Sequence, residues 1–324
     1  MGCGEVGEAG AADRGEPVIR TVDLTKHYGS TVALDAFDLT VPAGIVFGCL
    51  GPNGAGKSTL IRLLVGLLRP TRGRAEVLGI ETRRDPDAVQ ARVGYLPGDF
   101  TAYRDLTGAQ YLRHLAALRS RRRRDTFGRR SEQLAERLEL DLSRRIGALS
   151  HGNRQKVGIV QAFMHDPELL VLDEPTSGLD PLMQREFLSM VREVRDAGRT
   201  VVLSSHILTE VEAVADVVGI LHRGRLAVVD AVETLKAAAT RRIDLTFTGE
   251  PPVDVLDAVQ GVSVLDVDGP TVHLVVEGST ADLVAALSPY RVDDIVTHEA
   301  DLEEVFLSHS RPGTTAPGTS AEVD

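Results

Sequence analysis

One nine-residue stretch constrains this chain more than any other. Residues 51–59 read Gly-Pro-Asn-Gly-Ala-Gly-Lys-Ser-Thr, which matches the phosphate-binding pattern G-x-x-x-x-G-K-[ST] without a mismatch. An apolar segment, residues 45–50, precedes it, and apolar residues at helical spacing follow it as far as Leu68. The loop is therefore expected to join a strand to a helix, which is the context that the motif requires.

The residue types in this loop suit the phosphates of a nucleoside triphosphate. Glycines at 51, 54 and 56 allow backbone dihedrals that other residues avoid, so successive N–H groups can turn towards one phosphate. Lys57 supplies a mobile positive charge for the β- and γ-phosphates, and the hydroxyl of Ser58 can bind Mg²⁺. The candidate nucleotide-binding residues are Gly51, Pro52, Asn53, Gly54, Ala55, Gly56, Lys57, Ser58 and Thr59.

A second motif, Leu-Leu-Val-Leu-Asp-Glu-Pro at residues 169–175, predicts a metal ligand and a general base. Its four apolar residues indicate a strand that is buried on both faces. A carboxylate at the end of such a strand is costly unless a cation meets it, and Mg²⁺ held by Ser58 and Asp173 is that cation. Glu174 points away from Asp173 and can polarise an attacking water. Paired acids that simply cap a strand are the alternative.

Three further residues are candidates, each with a plainer structural alternative. Tyr28, near the end of the first predicted strand, could stack on a nucleotide base or pack at the rim of the domain. Ser150 precedes a predicted helix, where it can cap the N-terminus with or without a ligand. His206 follows a predicted strand, and the ends of such strands form the ligand-binding edge of an α/β sheet. We therefore favour a functional role for His206.

Composition bounds the class of protein. The chain has 324 residues, 43% of them hydrophobic, enough for one large domain and a small one. No window holds the roughly 18 consecutive apolar residues of a membrane span, and the N-terminus has no signal-peptide core, so we expect a soluble, intracellular protein. The two cysteines form no disulfide framework, and Cys49 is expected to be a small buried apolar residue. A net charge of -11 argues against nucleic acid as the main partner.

Hydrophobic periodicity divides the chain into segments. An α/β domain is predicted for residues 17–240, with a helical insertion at about 101–165. Residues 241–308 show the order β-α-β-β-α-β, the ferredoxin-like pattern of a small α+β domain, and contain no catalytic cluster. Residues 1–16 and 309–324 are expected to be disordered tails.

The insertion contains an arginine-rich stretch, from Arg119 to Arg130, in which Asp125 is the single acidic residue. A solvated helical face is the plainest interpretation of this stretch. A docking patch for an acidic or membrane-proximal partner is a sharper one. Nucleic acid is a third interpretation, although no aromatic residues are interleaved to support it.

In their order and context, the motifs resemble those of the nucleotide-binding subunit of an ATP-binding cassette (ABC) transporter, over roughly residues 18–240. They are GPNGAGKST, LSHGN at residues 149–153, LLVLDEP, SGLD at residues 177–180, and the strand-end histidine. The resemblance implies a P-loop ATPase fold that binds ATP and Mg²⁺. It implies that Tyr28 stacks on adenine, that Ser58 and Asp173 hold Mg²⁺, that Glu174 is the catalytic base and that His206 contacts the γ-phosphate.

The resemblance also implies a head-to-tail dimer of cassettes. Ser150 and Gly152 of one copy would reach the γ-phosphate held by the other copy, and a capped helix N-terminus is a suitable anion site. Asp180 of the SGLD motif is a further candidate nucleotide-site residue. Because one chain carries one set of motifs, a second ATPase subunit is expected, most simply as a homodimer.

Two positions depart from the family's usual pattern. Gly98 stands where a glutamine usually touches Mg²⁺ and the attacking water, so water or Asp99 would have to serve there. His151 stands where the LSHGN motif usually has a glycine, which places an imidazole near the shared phosphate site. ATP binding remains expected at such a site, whereas the rate of hydrolysis does not follow from the sequence.

We expect an ATPase subunit that drives a separately encoded membrane permease, as in a drug, lipid or polysaccharide exporter, at the inner face of the cell membrane. Residues 298–306 resemble the end of the accessory domain behind export cassettes of the drug and polysaccharide kind. The alternatives are a soluble cassette ATPase of translation or DNA maintenance and a regulatory module that holds ATP with weak hydrolysis. No nucleic-acid partner is expected.

Overall fold

The computed structural model describes residues 16–119, 124–238, 241–276 and 279–298. The chain divides into two compact units, Met1–Asp230 and Ala231–Asp324. Expectations for residues 1–15, 120–123 and 299–324, which include both tails and the centre of the arginine-rich stretch, lie outside the described residues.

The strands and helices of the described residues are as follows. The strands are β1 (Ile19–Tyr28), β2 (Thr31–Val41), β3 (Val46–Leu50), β4 (Arg72–Val77), β5 (Ile80–Glu81), β6 (Val93–Leu96), β7 (Leu169–Asp173), β8 (Thr200–Ser205), β9 (Val217–His222), β10 (Arg225–Ala231), β11 (Arg241–Phe247), β12 (Val262–Asp268), β13 (Thr271–Val276) and β14 (Val292–His298). The helices are α1 (Lys57–Leu64), α2 (Pro86–Arg92), α3 (Gly108–Arg119), α4 (Arg124–Arg137), α5 (His151–Phe163), α6 (Pro181–Asp196), α7 (Leu208–Glu212), α8 (Val232–Ala238), α9 (Val253–Asp257) and α10 (Ala281–Leu287).

A six-stranded sheet forms the centre of the first unit, in the order β10-β9-β3-β8-β7-β6. Strand β3 pairs in parallel with β8 and β9, and β7 pairs in parallel with β6 and β8. All residues of β3, β7 and β8 are buried, as expected for runs of apolar residues that are covered on both faces. The C-terminal ends of these parallel strands lie at one edge, where ligands of open α/β sheets bind.

A second, antiparallel sheet of order β2-β1-β4-β5 contributes to the same hydrophobic core as α1. Leu34 and Phe37 of β2 are buried with Leu60 and Ile61 of α1, which follows the phosphate-binding loop. The loop is thus anchored on its helical side by apolar packing against both sheets.

The helical insertion contains α3 and α4, followed by α5, as the sequence predicts. Arg119 is exposed, and its guanidinium also donates to the carbonyls of Gln90 and Val93, at 3.1 and 3.4 Å. Partial desolvation beside these carbonyls lowers the pKa of this guanidinium from its usual value. Arg130 pairs with Asp166 at 2.9 Å, so both ends of the arginine-rich stretch contact the rest of the unit.

The second unit has an antiparallel sheet of order β12-β13-β11-β14, with α9 after β11 and α10 after β13. This is the β-α-β-β-α-β order predicted from the sequence. Its own core includes Leu245, Leu274 and Leu256, all fully buried.

Two expectations from composition concern membrane-spanning helices and the environment of Cys49. Among the described residues, every helix is too short or too polar to cross a membrane. Cys49 is buried in β3, and this burial raises the pKa of its thiol to about 12, so the side chain is a neutral apolar residue at ordinary pH.

Buried His165 should make the unfolding free energy depend on pH. Its Nε2 lies 3.2 Å from the Val93 carbonyl, and burial, aided by the charge of Arg119, lowers its pKa to about 4. The unfolded chain, with a histidine pKa near 6.5, binds the proton more readily as pH falls between these values. Stability contributed by neutral His165 is therefore present above about pH 6.5 and falls by about 2–3 kcal/mol towards pH 4.5.

We expect His165→Gln to lose most of this pH dependence, because glutamine can keep the hydrogen bond and does not titrate. The measurement is urea unfolding at pH 7 and pH 4.5. The matched control is His27→Gln, at an exposed position, which should keep the wild-type dependence. An equally steep acid loss in His165→Gln would show that other groups cause it.

Candidate nucleotide-binding site

Four strand ends meet around one groove of about 440 Å³. The phosphate-binding loop follows β3, the segment with Gly98 follows β6, Glu174 follows β7 and His206 follows β8. Parallel pairing of the strands places these segments side by side. The groove is lined by Ala33, Pro52, Asn53, Gly54, Gly56, Lys57, Ser58, Thr59, Arg62, Gly98, Asp99, Asp173, Glu174, Ser177 and His206.

The loop has the conformation that its glycines were predicted to provide. Gly56 has φ 110°, and a Cβ there would lie 2.5 Å from the Ala33 carbonyl, so no other residue fits without a shift. Gly54 also has a positive φ, of 82°. Gly51 and Ala55 do not line the groove, but both make contacts within the loop. The Gly51 carbonyl accepts a hydrogen bond from Lys57 at 2.6 Å, and the Ala55 N–H donates to the Pro52 carbonyl at 3.1 Å.

Lys57 is a buried cation whose partners are all oxygen atoms. Its side chain is 5% exposed, and its Nζ lies 3.6 Å from Oε1 of Glu174. The same ammonium donates to the carbonyls of Gly51 and, at 3.4 Å, Pro52. A buried ammonium is costly without such partners. An anionic phosphate entering the groove would offer stronger, charged acceptors to the same group.

Asp173 is buried at the end of β7, and its Oδ1 accepts a hydrogen bond from the Ser204 hydroxyl at 2.6 Å. This bond leaves the other carboxylate oxygen for a cation. Ser58 lines the same groove, so a hydroxyl and a carboxylate are available as Mg²⁺ ligands. No set of three His, Cys, Asp or Glu residues in the described ranges is arranged to hold a metal. The hydroxyl of Ser58 and the free carboxylate oxygen of Asp173 fit Mg²⁺, which takes one or two protein oxygens together with phosphates and waters.

Glu174 is held in an unusual conformation. Its φ is 48°, in the left-handed region, and its backbone N–H donates to the carbonyl and the hydroxyl of Ser204 at 3.2 and 3.1 Å. Its Oε2 lies 2.6 Å from Nδ1 of His206, which is 56% exposed. The two proposed catalytic side chains are thus in direct contact at the edge of the groove.

Gly98 and Asp99 both line the groove, as the sequence placed them. A Cβ at Gly98 would meet Cγ and Oδ2 of Asp173 at 3.4 Å, an ordinary contact distance. A side chain at position 98 would therefore point at the carboxylate assigned to the metal, and this chain has none there.

Ser150, Gly152 and Asp180 are not among the residues that line the groove. Ser150 caps α5, with its hydroxyl accepting from the Asn153 N–H at 3.2 Å, and Asp180 caps α6, accepting from Leu182 and Met183 at 3.1 Å. A Cβ at Gly152 would lie 2.3 Å from the carbonyl of Gly178, so the two capped helices meet through glycines. These three candidates form a separate cluster on the same unit.

Tyr28 also lies outside the groove lining. It ends β1, is 46% exposed, and has the ammonium of Lys26 at 5.2 Å from its ring centroid. The ring is therefore available at the surface, and a bound base is not needed to explain its place at the end of the hairpin.

Sequence reasoning missed the residues that position the acids. Ser204 contacts Asp173 and Glu174, and Ser205, which is also buried, donates to Glu210 at 3.1 Å. Their signal was the pair of serines at the end of an otherwise apolar strand, where each buried hydroxyl requires a partner. Arg62, one turn into α1, was missed as well, and it lines the groove.

The chain is similar in sequence to known proteins. A model of the family described as ABC transporter matches residues 34–177. The chain is 38% identical over 226 residues to the probable multidrug ABC transporter ATP-binding protein YbhF of Escherichia coli (strain K12), an alignment covering 69% of this chain and 39% of YbhF. It is 35% identical over 306 residues to the daunorubicin resistance ATP-binding protein DrrA3 of Streptomyces coeruleorubidus, covering 89% of this chain and 94% of that protein. The chain thus spans about two fifths of YbhF and most of DrrA3.

Solved structures give the same result. The structure of an ATP-binding subunit of an ABC transporter matches with a TM-score of 0.63 and 32% identity, covering 68% of this chain and 92% of that one. A dimeric bacterial ABC transporter cassette matches with a TM-score of 0.61 over 66% of this chain and 98% of that one, and at 22% identity it shows the fold alone.

Gly152, in the separate cluster, and Gly98, in the groove, should respond differently to an added methyl group. Gly152→Ala should lower the unfolding free energy by about 1–3 kcal/mol, because its Cβ would collide with the backbone of Gly178. Gly98→Ala, the matched control, should change it by no more than about 0.5 kcal/mol. Thermal unfolding of both variants tests this difference, and equal stabilities would mean that Gly152 and Gly178 are not in contact.

Proposed function

Because this chain belongs to the ATP-binding proteins of ABC transporters, we propose that it binds ATP with Mg²⁺ and hydrolyses it to drive a separately encoded membrane permease. The observation that carries this proposal is the convergence of Lys57, Asp173, Glu174 and His206 on the groove beside the phosphate-binding loop. Each of these side chains has a role that phosphoryl transfer to water requires.

The triphosphate would displace the contacts that Lys57 makes within its own loop. Its ammonium would exchange the Gly51 carbonyl for oxygens of the β- and γ-phosphates, while the inward N–H groups of the loop bind the β-phosphate. Ser58 and Asp173 would hold Mg²⁺, which neutralises charge on the phosphates. The bond from Ser204 keeps the Asp173 carboxylate oriented for this task.

Glu174 would accept the proton of the attacking water. Its carboxylate is oriented by His206, whose Nδ1 lies 2.6 Å from Oε2. In the imidazolium form, His206 can donate from Nδ1 to Glu174 and from Nε2 to the γ-phosphate at the same time. The pair would thus place a base and a hydrogen-bond donor side by side next to the reacting phosphate.

A second copy of the chain would complete the site. Ser150 and Gly152 begin a capped helix, α5, but do not line the groove of their own chain. A helix N-terminus is a suitable anion site, so a facing copy could direct it at the γ-phosphate. ATP would then join two copies across two shared sites, and hydrolysis would release them.

The relatives support export of a drug-like compound as the driven process. YbhF is named as a probable multidrug ABC transporter protein, DrrA3 as a daunorubicin resistance protein, and BcrA of Bacillus licheniformis, 37% identical over 210 residues, as a bacitracin transport protein. The chain would then lie at the inner face of the membrane through its permease.

The permease would dock beside the helical insertion. A surface groove of about 190 Å³ lies where α3 and α5 meet the end of α1 and strand β6, and Leu67 there is 52% exposed. A short apolar helix of a membrane protein could insert at such a groove. Its lining residues are Val65, Leu67, Gln90, Val93, Tyr95, Arg119 and Gln161.

Glu174→Gln should retain ATP binding and slow phosphate release by about 100-fold or more, because the amide cannot accept the proton of water. The variant should also remain dimeric in ATP, as seen by gel filtration. The matched control is Glu132→Gln, at an exposed site on α4, which should hydrolyse ATP at the wild-type rate. Wild-type turnover in Glu174→Gln would remove that residue from the mechanism.

Lys57→Ala should lose nucleotide binding altogether.

Leu67→Asp should reduce co-purification of the chain with its membrane partner while ATP binding stays unchanged, because Leu67 does not line the nucleotide groove. Leu265→Asp, at an exposed leucine of the second unit, is the matched control and should co-purify normally. Equal recovery of the membrane protein with both variants would place the docking surface elsewhere.

A further inference from the structure

Glu210 is a buried carboxylate that the proposed chemistry does not use. It lies in the short helix α7 and is 8% exposed. Its Oε2 accepts two hydrogen bonds, from the hydroxyl of Thr176 at 2.6 Å and from that of Ser205 at 3.1 Å. Burying a carboxylate is costly, so these two charge-assisted bonds are what retain it in the interior.

The two donors belong to the segments that carry the catalytic pair. Thr176 follows Glu174 by two residues, and Ser205 immediately precedes His206. The Ser205 hydroxyl also accepts a hydrogen bond from the N–H of Ile207, at 2.9 Å, so the residues before and after His206 are bonded to each other. Glu210 thus ties the backbone after β7 to the backbone at the end of β8.

The segment after β7 and the end of β8 are therefore joined by two sets of contacts. On the groove side, His206 and Glu174 are joined side chain to side chain at 2.6 Å. On the interior side, Glu210 joins the same two segments through Ser205 and Thr176. A change at Glu210 would therefore alter the separation of the base and the histidine without contact with nucleotide.

We propose that Glu210 is a positioning residue that holds Glu174 and His206 at their working separation. The inference rests on the proposed function, since it assigns a role in the same hydrolysis. Misplacing a reacting group by about 1 Å can lower a rate by about 100-fold, so a device acting only on this separation has a measurable effect on turnover.

The geometry also says which substitution should preserve the role. Both bonds go to Oε2, whereas Oε1 has no hydrogen-bond partner among the described residues. In Glu210→Gln the amide oxygen can take the place of Oε2 and accept both hydroxyls. Glu210→Ala removes the acceptor and leaves the hydroxyls of Thr176 and Ser205 unpaired in the interior.

The experiment measures steady-state ATP hydrolysis and ATP affinity of the full chain carrying Glu210→Ala, Glu210→Gln or Thr209→Ala. We expect the alanine variant to lose at least about 10-fold in kcat with its ATP affinity within about twofold of wild type, because the groove residues that hold phosphate are untouched. Glutamine should restore most of the rate. Thr209, exposed on the same helix, is the matched control and should behave as wild type.

Other outcomes overturn the proposal. Equal kcat for the wild type and Glu210→Ala, in folded protein that binds ATP, would remove Glu210 from positioning and leave the proposed function intact. A parallel loss in ATP affinity and kcat, without rescue by glutamine, would show a general structural role. A wild type that binds ATP without hydrolysing it would overturn both proposals.

A second variant keeps the test decisive if Glu210→Ala does not fold. Thr176→Val removes one of the two bonds and leaves the carboxylate paired with Ser205. It should lower kcat in the same direction by a smaller factor, with unchanged ATP affinity, and unchanged turnover would contradict the proposal.

Discussion

The contact between a buried ammonium and its surrounding oxygens determines how the site of this protein is built. Lys57 sits in the interior, close to Glu174 and to the carbonyls of its own loop. A lysine is tolerated there because acceptors converge on it, and they converge because parallel strands end at one edge. The strand topology thus brings the acceptors to Lys57, and these acceptors offset the cost of burying its ammonium.

Much of this arrangement could be predicted from local sequence. The phosphate-binding loop, the acids after β7 and the histidine after β8 each follow an apolar strand, and local rules place such residues at one edge. The order of strands and helices in the second unit could also be predicted from the sequence, because its apolar residues recur at the spacing of a strand or of a helix in each segment. Helix α2 was missed although Asp85 caps it and Pro86 begins it, both recognisable start signals.

Contacts between distant segments could not be predicted in this way. Glu210 and Thr176 are 34 positions apart, and Arg119 reaches carbonyls 26 and 29 positions away. Nothing in the spacing of the arginines indicates that Arg119 donates to these carbonyls. The net charge of the whole chain likewise does not show where the charged residues lie. Residues 231–324 hold 17 of the 47 acidic residues and only 5 of the 36 basic ones. The first unit is close to neutral, so a partner's charge has to be argued for each unit by itself.

Gly98 and His151, the two positions that depart from the family pattern, lie at different places in the first unit. Each is therefore accommodated by its own surroundings. Gly98 leaves open the side of the groove that faces Asp173, where a water can occupy the space of a missing side chain. His151 packs against Gly178, where a Cβ would lie 2.4 Å from its ring, so the imidazole contacts the segment that leads to Asp180. Gly178 has φ 75° and could not carry a side chain beside that ring. The histidine therefore connects the two capped helices within one chain, and a facing copy would meet them as a single preformed surface.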